Sequence, residues 1–293
     1  MNSNQLSTYV GATFTSPNRD VKQALHVREW SSLGTVVIII WDILLLFNDE
    51  YTHIWSTPSF ALKWIYLFAR YFPLLFQSTS YYLLTHILSR PPISWSICFA
   101  WTLAHIAAIR IMTAVIEGVL MLRVYALYGK NTAVGWFLVA LFLTQRVIAI
   151  GVAVRVRKTV QFDEICRANA GITDAIVLGA GILVTQVVIW TMTVAKRKAR
   201  MESRSNSRFM SLLLRDGAWA FVGIIALYSV IVPYSFIVEI SSHIAFSWPI
   251  SLLSIATCRI IINMQGLKSD VIAYPTVPNN PDDIELPEFL GGS

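Results

Sequence analysis

The sequence predicts an all-α, polytopic membrane protein: a seven-transmembrane-helix bundle with its N-terminus outside and its C-terminus in the cytosol. Two observations lead to this prediction. The 293 residues are 55% hydrophobic and only 14% charged, whereas a soluble domain is usually about 25% charged. The apolar residues also gather in repeated runs of about 20, the length of a membrane-spanning helix. Hydrocarbon offers no water to backbone amides, so runs of this length indicate helices.

The predicted chain has three parts. Residues 1–30 form a polar N-terminal arm, residues 31–264 form the transmembrane domain, and residues 265–293 form a disordered, acidic, proline-rich tail. The seven predicted spans are 31–47, 61–84, 95–122, 132–154, 171–195, 217–238 and 244–264. The first span is short and contains Asp42, so whether it crosses the bilayer completely stays open.

A basic segment, KRKARMESRSNSR at 196–208, orients the predicted bundle. Its basic residues are Lys196, Arg197, Lys198, Arg200, Arg204 and Arg208. Cytosolic loops carry an excess of Lys and Arg, so this segment is expected inside the cell. It serves either as a topology determinant alone or as a docking site for a cytosolic protein partner or an anionic lipid. The basic residues lie at helix ends, which does not predict binding of nucleic acid.

Two of the three cysteines are expected on the outer side. Cys98 lies at the outer end of the third span, Cys166 lies in the outer loop after the fourth, and Cys258 lies inside the seventh. Disulfides persist on the oxidising side of a membrane, so Cys98 and Cys166 are candidates for one. The alternative is two free thiols. The candidate bridge is similar to the one that joins an outer loop to the third helix of heptahelical receptors.

Polar residues inside the spans are the candidates for a buried network. They are Asp42, Arg70, Arg110, Thr113, Glu117, Arg146 and Arg259. A charge inside the bilayer costs about 2.5–3.5 kcal/mol on insertion scales, so such residues are functional candidates by default. The network serves a ligand pocket, a proton path or a conformational switch, or it only pairs helices in register. Arg259 is also near enough to the predicted boundary to extend its charge to the surface.

Arg110, Thr113 and Glu117 form one stripe along the third span, because they are three and four residues apart. Arg110 and Glu117 are separated by about 10 Å along the helix axis, too far for a direct ion pair. Each is therefore expected to face the interior and to meet a polar group of another span. Glu117→Ala is expected to lower stability more than Val119→Ala, with Val119 taken as lipid-facing.

No catalytic or cofactor-binding pattern accompanies these charges. The five histidines show no metal-binding spacing, and the sequence contains neither a G-x-S-x-G motif nor a P-loop. The seventh predicted span has no lysine, so a retinal Schiff base has no support. We therefore expect neither enzymatic activity nor a cofactor.

Several short motifs resemble a known family. They are Trp41-Asp42, Asp49-Glu50, Ile54-Trp55, Arg70-Tyr71, Glu117, the run Leu122–Gly129, Leu214–Gly217 and Cys258–Asn263. In order and spacing they are similar to the heptahelical integral-membrane proteins of mushroom-forming fungi, a family defined by an N-terminal domain of unknown function. One departure is Trp41, where that family often has tyrosine. The resemblance supports the architecture and carries no activity with it.

The expected function is therefore that of a receptor-like membrane protein, in the plasma membrane rather than an internal one, sensing an extracellular or membrane ligand. The cytosolic motif candidates are Arg123, Tyr125, Tyr128, Arg215 and Asp216. The alternative is a transporter or channel that uses the buried charges. Transporters often contain inverted repeats, and the absence of a recognisable repeat weakly favours the receptor. The ligand and the oligomeric state are not indicated.

Overall fold

The structure is a computed structural model, and it describes residues 17–55, 60–88, 93–159, 161–162, 168–169, 172–202, 222–223, 226 and 242–273. The described chain is helical apart from two strands of two residues each. The helices are α1 (Pro17–Leu45), α2 (Phe47–Glu50), a π-helical turn (Tyr51–Trp55), α3 (Phe60–His86), α4 (Trp95–Leu127), α5 (Thr132–Thr159), α6 (Ile172–Glu202) and α7 (Ser242–Ala273). Strands β1 (Gln161–Phe162) and β2 (Ala168–Asn169) pair antiparallel, with Gln161 opposite Asn169.

Four of the described helices contain a stretch long and apolar enough to cross a membrane. These stretches are Trp95–Leu127, Thr132–Arg157, Gly179–Lys196 and Ser247–Gly266, in α4 to α7. They make the chain a membrane protein in contact with lipid. Helices α1 and α3 have 29 and 27 residues, which is also long enough to span, but neither contains a stretch as apolar and as poor in charge as these four. The predicted span at 217–238 lies outside the described residues except for positions 222, 223 and 226.

The helices extend beyond the predicted spans. Helix α1 begins at Pro17, inside the predicted arm; α6 continues to Glu202, inside the predicted basic loop; and α7 continues to Ala273, inside the predicted tail. Hydrophobicity marks only the stretch that lipid covers. Lys, Arg, Glu and Ala are good helix formers, so a helix can continue through polar sequence beyond that stretch.

Helix α4 lies at the centre of the described helices. It packs against α3, α5, α6 and α7, while α1 packs on α3 and α7. Its buried side chains Met112 and Ile116 join Ile250, Leu253 and Ile261 of α7 in one apolar core. A central helix has neighbours on most of its sides, so few of its residues face outward.

This central position overturns one expectation. Val119 is only 2% exposed, so its interpretation as a lipid-facing residue is wrong. It lies about 200° around the helix from Glu117, yet both sides of α4 are covered. Exposed positions on α4 include Ile111 and Leu122, which serve better as lipid-facing controls.

Helix α5 is exposed along most of its length. Its exposed apolar side chains include Trp136, Phe137, Leu143, Val147, Ile150 and Val154. A helix that is apolar nearly all round and has few protein neighbours is stable when lipid covers it. This face is where the structure most directly indicates contact with the bilayer.

Contacts between the helices define two ends of the bundle. At one end, Arg28 Nη2 donates to the Leu88 carbonyl at 3.0 Å, and Leu88 packs with Cys98; we call it the Cys98 end. At the other, the Tyr128 hydroxyl donates to the Met192 carbonyl at 3.1 Å; we call it the Tyr128 end. The Tyr128 end holds the C-terminal parts of α1, α4, α6 and α7 and the beginnings of α3 and α5.

The turn between α4 and α5 closes the Tyr128 end. Gly129 and Lys130 have φ of 64° and 56°, both left-handed. Asn131 Oδ1 then accepts a hydrogen bond from the Ala133 amide at 2.9 Å and caps α5. Glycine tolerates the left-handed region without steric cost, so this tight reversal follows directly from the local sequence.

Candidate functional site

Arg70 is almost completely buried in the half of the bundle nearest the Tyr128 end. Its guanidinium Nε lies 3.0 Å from Glu50 Oε2, and both side chains are nearly inaccessible. Nη1 donates to the Tyr66 hydroxyl at 2.6 Å, and Nη2 donates to the Ile43 carbonyl at 2.8 Å. The Nε–H does not point at the carboxylate well enough for a hydrogen bond, so the contact with Glu50 is an ion pair. Arg70 thus joins α1, α2 and α3.

Glu50 belongs to one of the motifs that resemble the family, but it is not among the residues of the predicted buried network. Glu50 follows the apolar run of α1, where consecutive polar residues predict that the helix stops. In the structure, the chain continues helically through Leu46, and the Glu50 amide donates to the Leu46 carbonyl at 2.9 Å. That continuation turns Glu50 inward. The positive charge of Arg70 in a predicted span was the signal that an acid had to lie nearby.

Asp42 and Arg259 form a second ion pair beside the first. Arg259 Nη2 and Nε both donate to Asp42 Oδ1, at 3.0 and 3.3 Å, and so connect α7 to α1. The two partners differ in burial: the Arg259 side chain is 55% exposed and that of Asp42 is 9% exposed. Arg259 therefore pairs with an acid, as expected for a network residue, and its side chain also reaches the surface, as expected for a residue near the boundary.

Cys258 lies close to both pairs. Its thiol is free and buried. It interacts electrostatically with Arg70, Asp42 and Glu50. We call Asp42, Glu50, Tyr66, Arg70, Cys258 and Arg259 the Arg70 cluster. Its two carboxylates balance its two guanidinium groups, which is how buried charges become tolerable.

A separate group of polar residues surrounds Glu117 on α4, which is completely buried. Both carboxylate oxygens are bound from α5: Gln145 Nε2 donates to Oε1 at 3.1 Å, and Arg146 Nη2 donates to Oε2 through a short contact. Arg146 Nη1 also donates to the Arg110 carbonyl at 3.1 Å. We call Glu117, Gln145 and Arg146 the Glu117 cluster. Its ion pair holds α4 and α5 in register.

The three residues of the predicted stripe on α4 make different contacts. Glu117 turns to α5, whereas the Thr113 hydroxyl donates to the Ile109 carbonyl of its own helix at 2.8 Å. The Arg110 side chain is only partly buried, and its backbone carbonyl is the group that Arg146 binds. Arg146 of α5 thus contacts the stripe at two points, the Arg110 carbonyl and the Glu117 carboxylate.

Both ring nitrogens of the buried His105 have hydrogen-bond partners. Its Nε2 lies 3.1 Å from Ser80 Oγ, and its Nδ1 lies 3.0 Å from the Trp101 carbonyl. A carbonyl only accepts, so Nδ1 carries the proton, and in the neutral ring Nε2 accepts from the serine hydroxyl. Across the described residues, no three His, Cys, Asp or Glu side chains group as a metal site.

The candidate cytosolic residues gather at the Tyr128 end as far as the structure describes them. Lys196 Nζ lies 5.2 Å from the Tyr128 ring centre, which brings the start of the basic segment onto the end of α4. Arg123 is buried, and the Tyr125 ring packs over Gly135. Cys166, Arg204, Arg208, Arg215 and Asp216 lie outside the described residues, and for Arg197, Lys198 and Arg200 only the helical backbone is described.

The comparison with protein families covers one part of this arrangement. Residues 30–75 match the model of DUF6533, a family of unknown function. The matched residues run from α1 to the middle of α3 and include Asp42, Glu50, Tyr66 and Arg70, four members of the Arg70 cluster. No curated protein and no solved structure matches the chain.

Proposed function

We propose that the chain is a receptor-like, seven-helix membrane protein without enzymatic activity, which responds to an extracellular or membrane ligand and signals to a cytosolic protein. One observation carries the proposal. The contacts of Tyr128 with Met192 and Lys196 bring the end of α4 and the basic end of α6 together. A cytosolic protein with an acidic surface would touch both elements at once, and it would be sensitive to any shift between them.

Buried ion pairs supply a means of transmission. The Arg70 cluster ties α1, α3 and α7 together in the half of the bundle nearest the Tyr128 end, and the Glu117 cluster ties α4 to α5. A charged contact in a low-dielectric interior is either made or lost, since a half-separated pair has neither partner nor water. Helix movement caused by a ligand would thus change a defined set of contacts, as in known switches.

The proposal includes the topology and its family. Six long helices are described, and we assign the seventh to the apolar stretch 217–238. Seven spans place the two termini on opposite sides of the membrane. The basic segment at 196–208 then assigns the C-terminus to the cytosol and the N-terminus to the outside. Successive long helices from α1 to α6 alternate in direction between the two ends, whereas α6 and α7 both run toward the Tyr128 end. One further helix between α6 and α7 would agree with this arrangement. The order of the motifs further supports membership of the heptahelical family of mushroom-forming fungi. The proposed location is the plasma membrane, because a sensor of external ligands has to face the outside of the cell.

A disulfide between Cys98 and Cys166 is part of the same proposal. Cys98 is buried at the end opposite to the basic segment, which is the outer end in this topology. Cys258 is a free thiol inside the bundle and is not available to pair. Peptide mapping under non-reducing conditions tests the bridge, and recovery of Cys98 as a free thiol would rule it out.

Association with a cytosolic protein is the deciding experiment. The intact protein is purified from its host membrane in mild detergent, beside a variant in which Lys196, Arg197, Lys198 and Arg200 are changed to glutamine. A heterotrimeric G protein or another cytosolic protein should co-purify with the former and be lost from the latter. Arg155→Gln with Arg157→Gln, which removes charge beyond the Cys98 end, is the matched control. Equal association of all three proteins would contradict the receptor proposal.

A transporter or channel is the second candidate. Full burial of Glu117 favours it, because intramembrane carboxylates often line proton and substrate paths. Proteoliposomes holding a pH gradient distinguish the candidates. Faster decay of the gradient with the protein than with empty vesicles, reversed by Glu117→Gln in a variant of unchanged folded yield, would favour transport.

A further inference from the structure

The segment Phe47–Trp55 has two distinct faces. Phe47, Tyr51 and Trp55, spaced four residues apart, are 67%, 72% and 50% exposed, whereas Glu50 and Ile54 are each only 2% exposed. The change from α2 to the wider π-helical turn at Tyr51 keeps the step of four close to one side. An outer aromatic face therefore backs directly onto the buried partner of Arg70.

The outer face is expected at the edge of the membrane lipid, because the apolar stretches of α4 and α6 end, and that of α5 begins, at the Tyr128 end. The segment continues α1 at the Tyr128 end, next to the beginning of α3. Trp and Tyr are concentrated at this depth in membrane proteins, because their rings accept the acyl boundary while their N–H and O–H groups reach the headgroups. Three exposed aromatic rings on one side suit this environment far better than bulk water.

A positive charge is placed beside these rings. Lys63 Nζ on α3 lies 4.4 Å from the centre of the Trp55 ring, and the lysine side chain is partly buried. An ammonium group has three N–H donors, and the ring face engages only one side of it. The other side can donate to phosphate oxygens, the charged group that phospholipids present at this level.

We propose that Lys63, Trp55 and Tyr51 bind the phosphate headgroup of an anionic phospholipid. The bound lipid then stabilises the ion pair between the Glu50 carboxylate and the Arg70 guanidinium. Tyr51 directly follows Glu50 in one helical turn, so a lipid that restrains the outer face also restrains the carboxylate. The proposal requires only that the chain is a membrane protein and is independent of the receptor proposal.

Lipid binding is measured by native mass spectrometry of the full chain in detergent, titrated with phosphatidylglycerol or with neutral phosphatidylcholine. Lys63→Gln should weaken phosphatidylglycerol binding about fivefold, the equivalent of the ~1 kcal/mol that one basic residue contributes near an anionic surface. Lys63→Arg should retain binding. Lys130→Gln, at the same end but in the α4–α5 turn, is the control. Equal losses from Lys63→Gln and Lys130→Gln, or equal affinity for both lipids, would overturn the site.

The link to Arg70 has its own measurement. Cys258 is buried beside the Arg70–Glu50 pair, so a thiol reagent reaches it only when the surrounding cluster opens. N-ethylmaleimide labelling of Cys258, quantified by peptide mapping, should be slower in nanodiscs containing phosphatidylglycerol than in phosphatidylcholine alone. Lys63→Gln should remove this difference, and Lys63→Arg should keep it. If the rate is the same in both lipids for the unchanged protein, the lipid does not hold the pair.

Discussion

Arg70 and Glu50 form an ion pair, 3.0 Å from Nε to Oε2, that is almost inaccessible to solvent in the described bundle. The pair connects the segment after α1 to the interior of α3. Taking two charges out of water is expensive, so such a pair adds little stability by itself but makes either charge alone very costly. Its presence therefore indicates a required arrangement of α1 and α3, and it predicts strong effects of single substitutions.

Glu50→Gln should destabilise the protein by about 3–5 kcal/mol, because the buried guanidinium of Arg70 loses its counter-charge. The free energy of unfolding in detergent micelles, from denaturant titration followed by circular dichroism, is the measurement. Asp49→Asn is the matched control, since Asp49 is the adjacent acid and is exposed; it should change stability by no more than about 0.5 kcal/mol. Similar losses from both variants would show that the ion pair does not determine the stability.

The two members of the Asp42–Arg259 pair should respond unequally. Arg259→Gln leaves a carboxylate that is almost buried, whereas Asp42→Asn leaves a guanidinium that is largely exposed and can be hydrated. Arg259→Gln should therefore lower the thermal unfolding midpoint further than Asp42→Asn. Thermal unfolding of both variants in the same detergent checks the order. The reverse order would mean that Arg259 is covered in the membrane-bound protein.

Glu117→Ala should cost about 3–5 kcal/mol, because it leaves Arg146 and Gln145 without the carboxylate that binds them. Ile111→Ala and Leu122→Ala on the exposed side of α4 are the controls and should cost far less. Folded yield and thermal unfolding after purification are the readouts. If Glu117→Ala is as stable as the controls, its carboxylate does not hold α4 to α5.

Gly135→Ala should destabilise the contact between α4 and α5. A Cβ at Gly135 would lie 3.0 Å from the Tyr125 ring, closer than such atoms normally approach, whereas a Cβ at Gly118 would meet no atom within 4 Å. Gly118→Ala should instead be neutral or stabilise by up to about 1 kcal/mol, since alanine favours a helix interior over glycine. Opposite signs of the two shifts in unfolding midpoint are the expected result.

Gly135→Ala also reports on the Tyr128 end. Tyr125 lies on the same last turns of α4 as Tyr128, so displacement of its ring should disturb the surface proposed to meet a cytosolic protein. Reduced association at unchanged expression would agree with that. Stabilisation by Gly135→Ala would contradict the close packing of the Tyr125 ring.

The sequence by itself determined that the chain is helical and lies in a membrane. Apolar runs of spanning length in α4 to α7 favour helices, because backbone amides in hydrocarbon must bond inside the protein and a helix satisfies them within its own segment. The turn at Gly129 and Asn131 follows from local chemistry in the same way. Asp42, Arg70, Glu117, Arg146 and Arg259 could be named from the sequence as charges in need of a partner, because an intramembrane charge is costly wherever its partner lies.

Only the tertiary structure decided which of these charges meet. Arg146 binds Glu117 while Arg110 contributes its carbonyl, a choice that depends on the rotation of α5 against α4. Glu50 was missed as a buried acid because hydropathy marks where lipid covers a helix and not where the helix ends. Val119 was misplaced for the related reason that helical periodicity gives a residue's direction, whereas burial depends on how many neighbours surround the helix. Partners and neighbours are properties of packing between segments distant in the chain, which no local pattern contains.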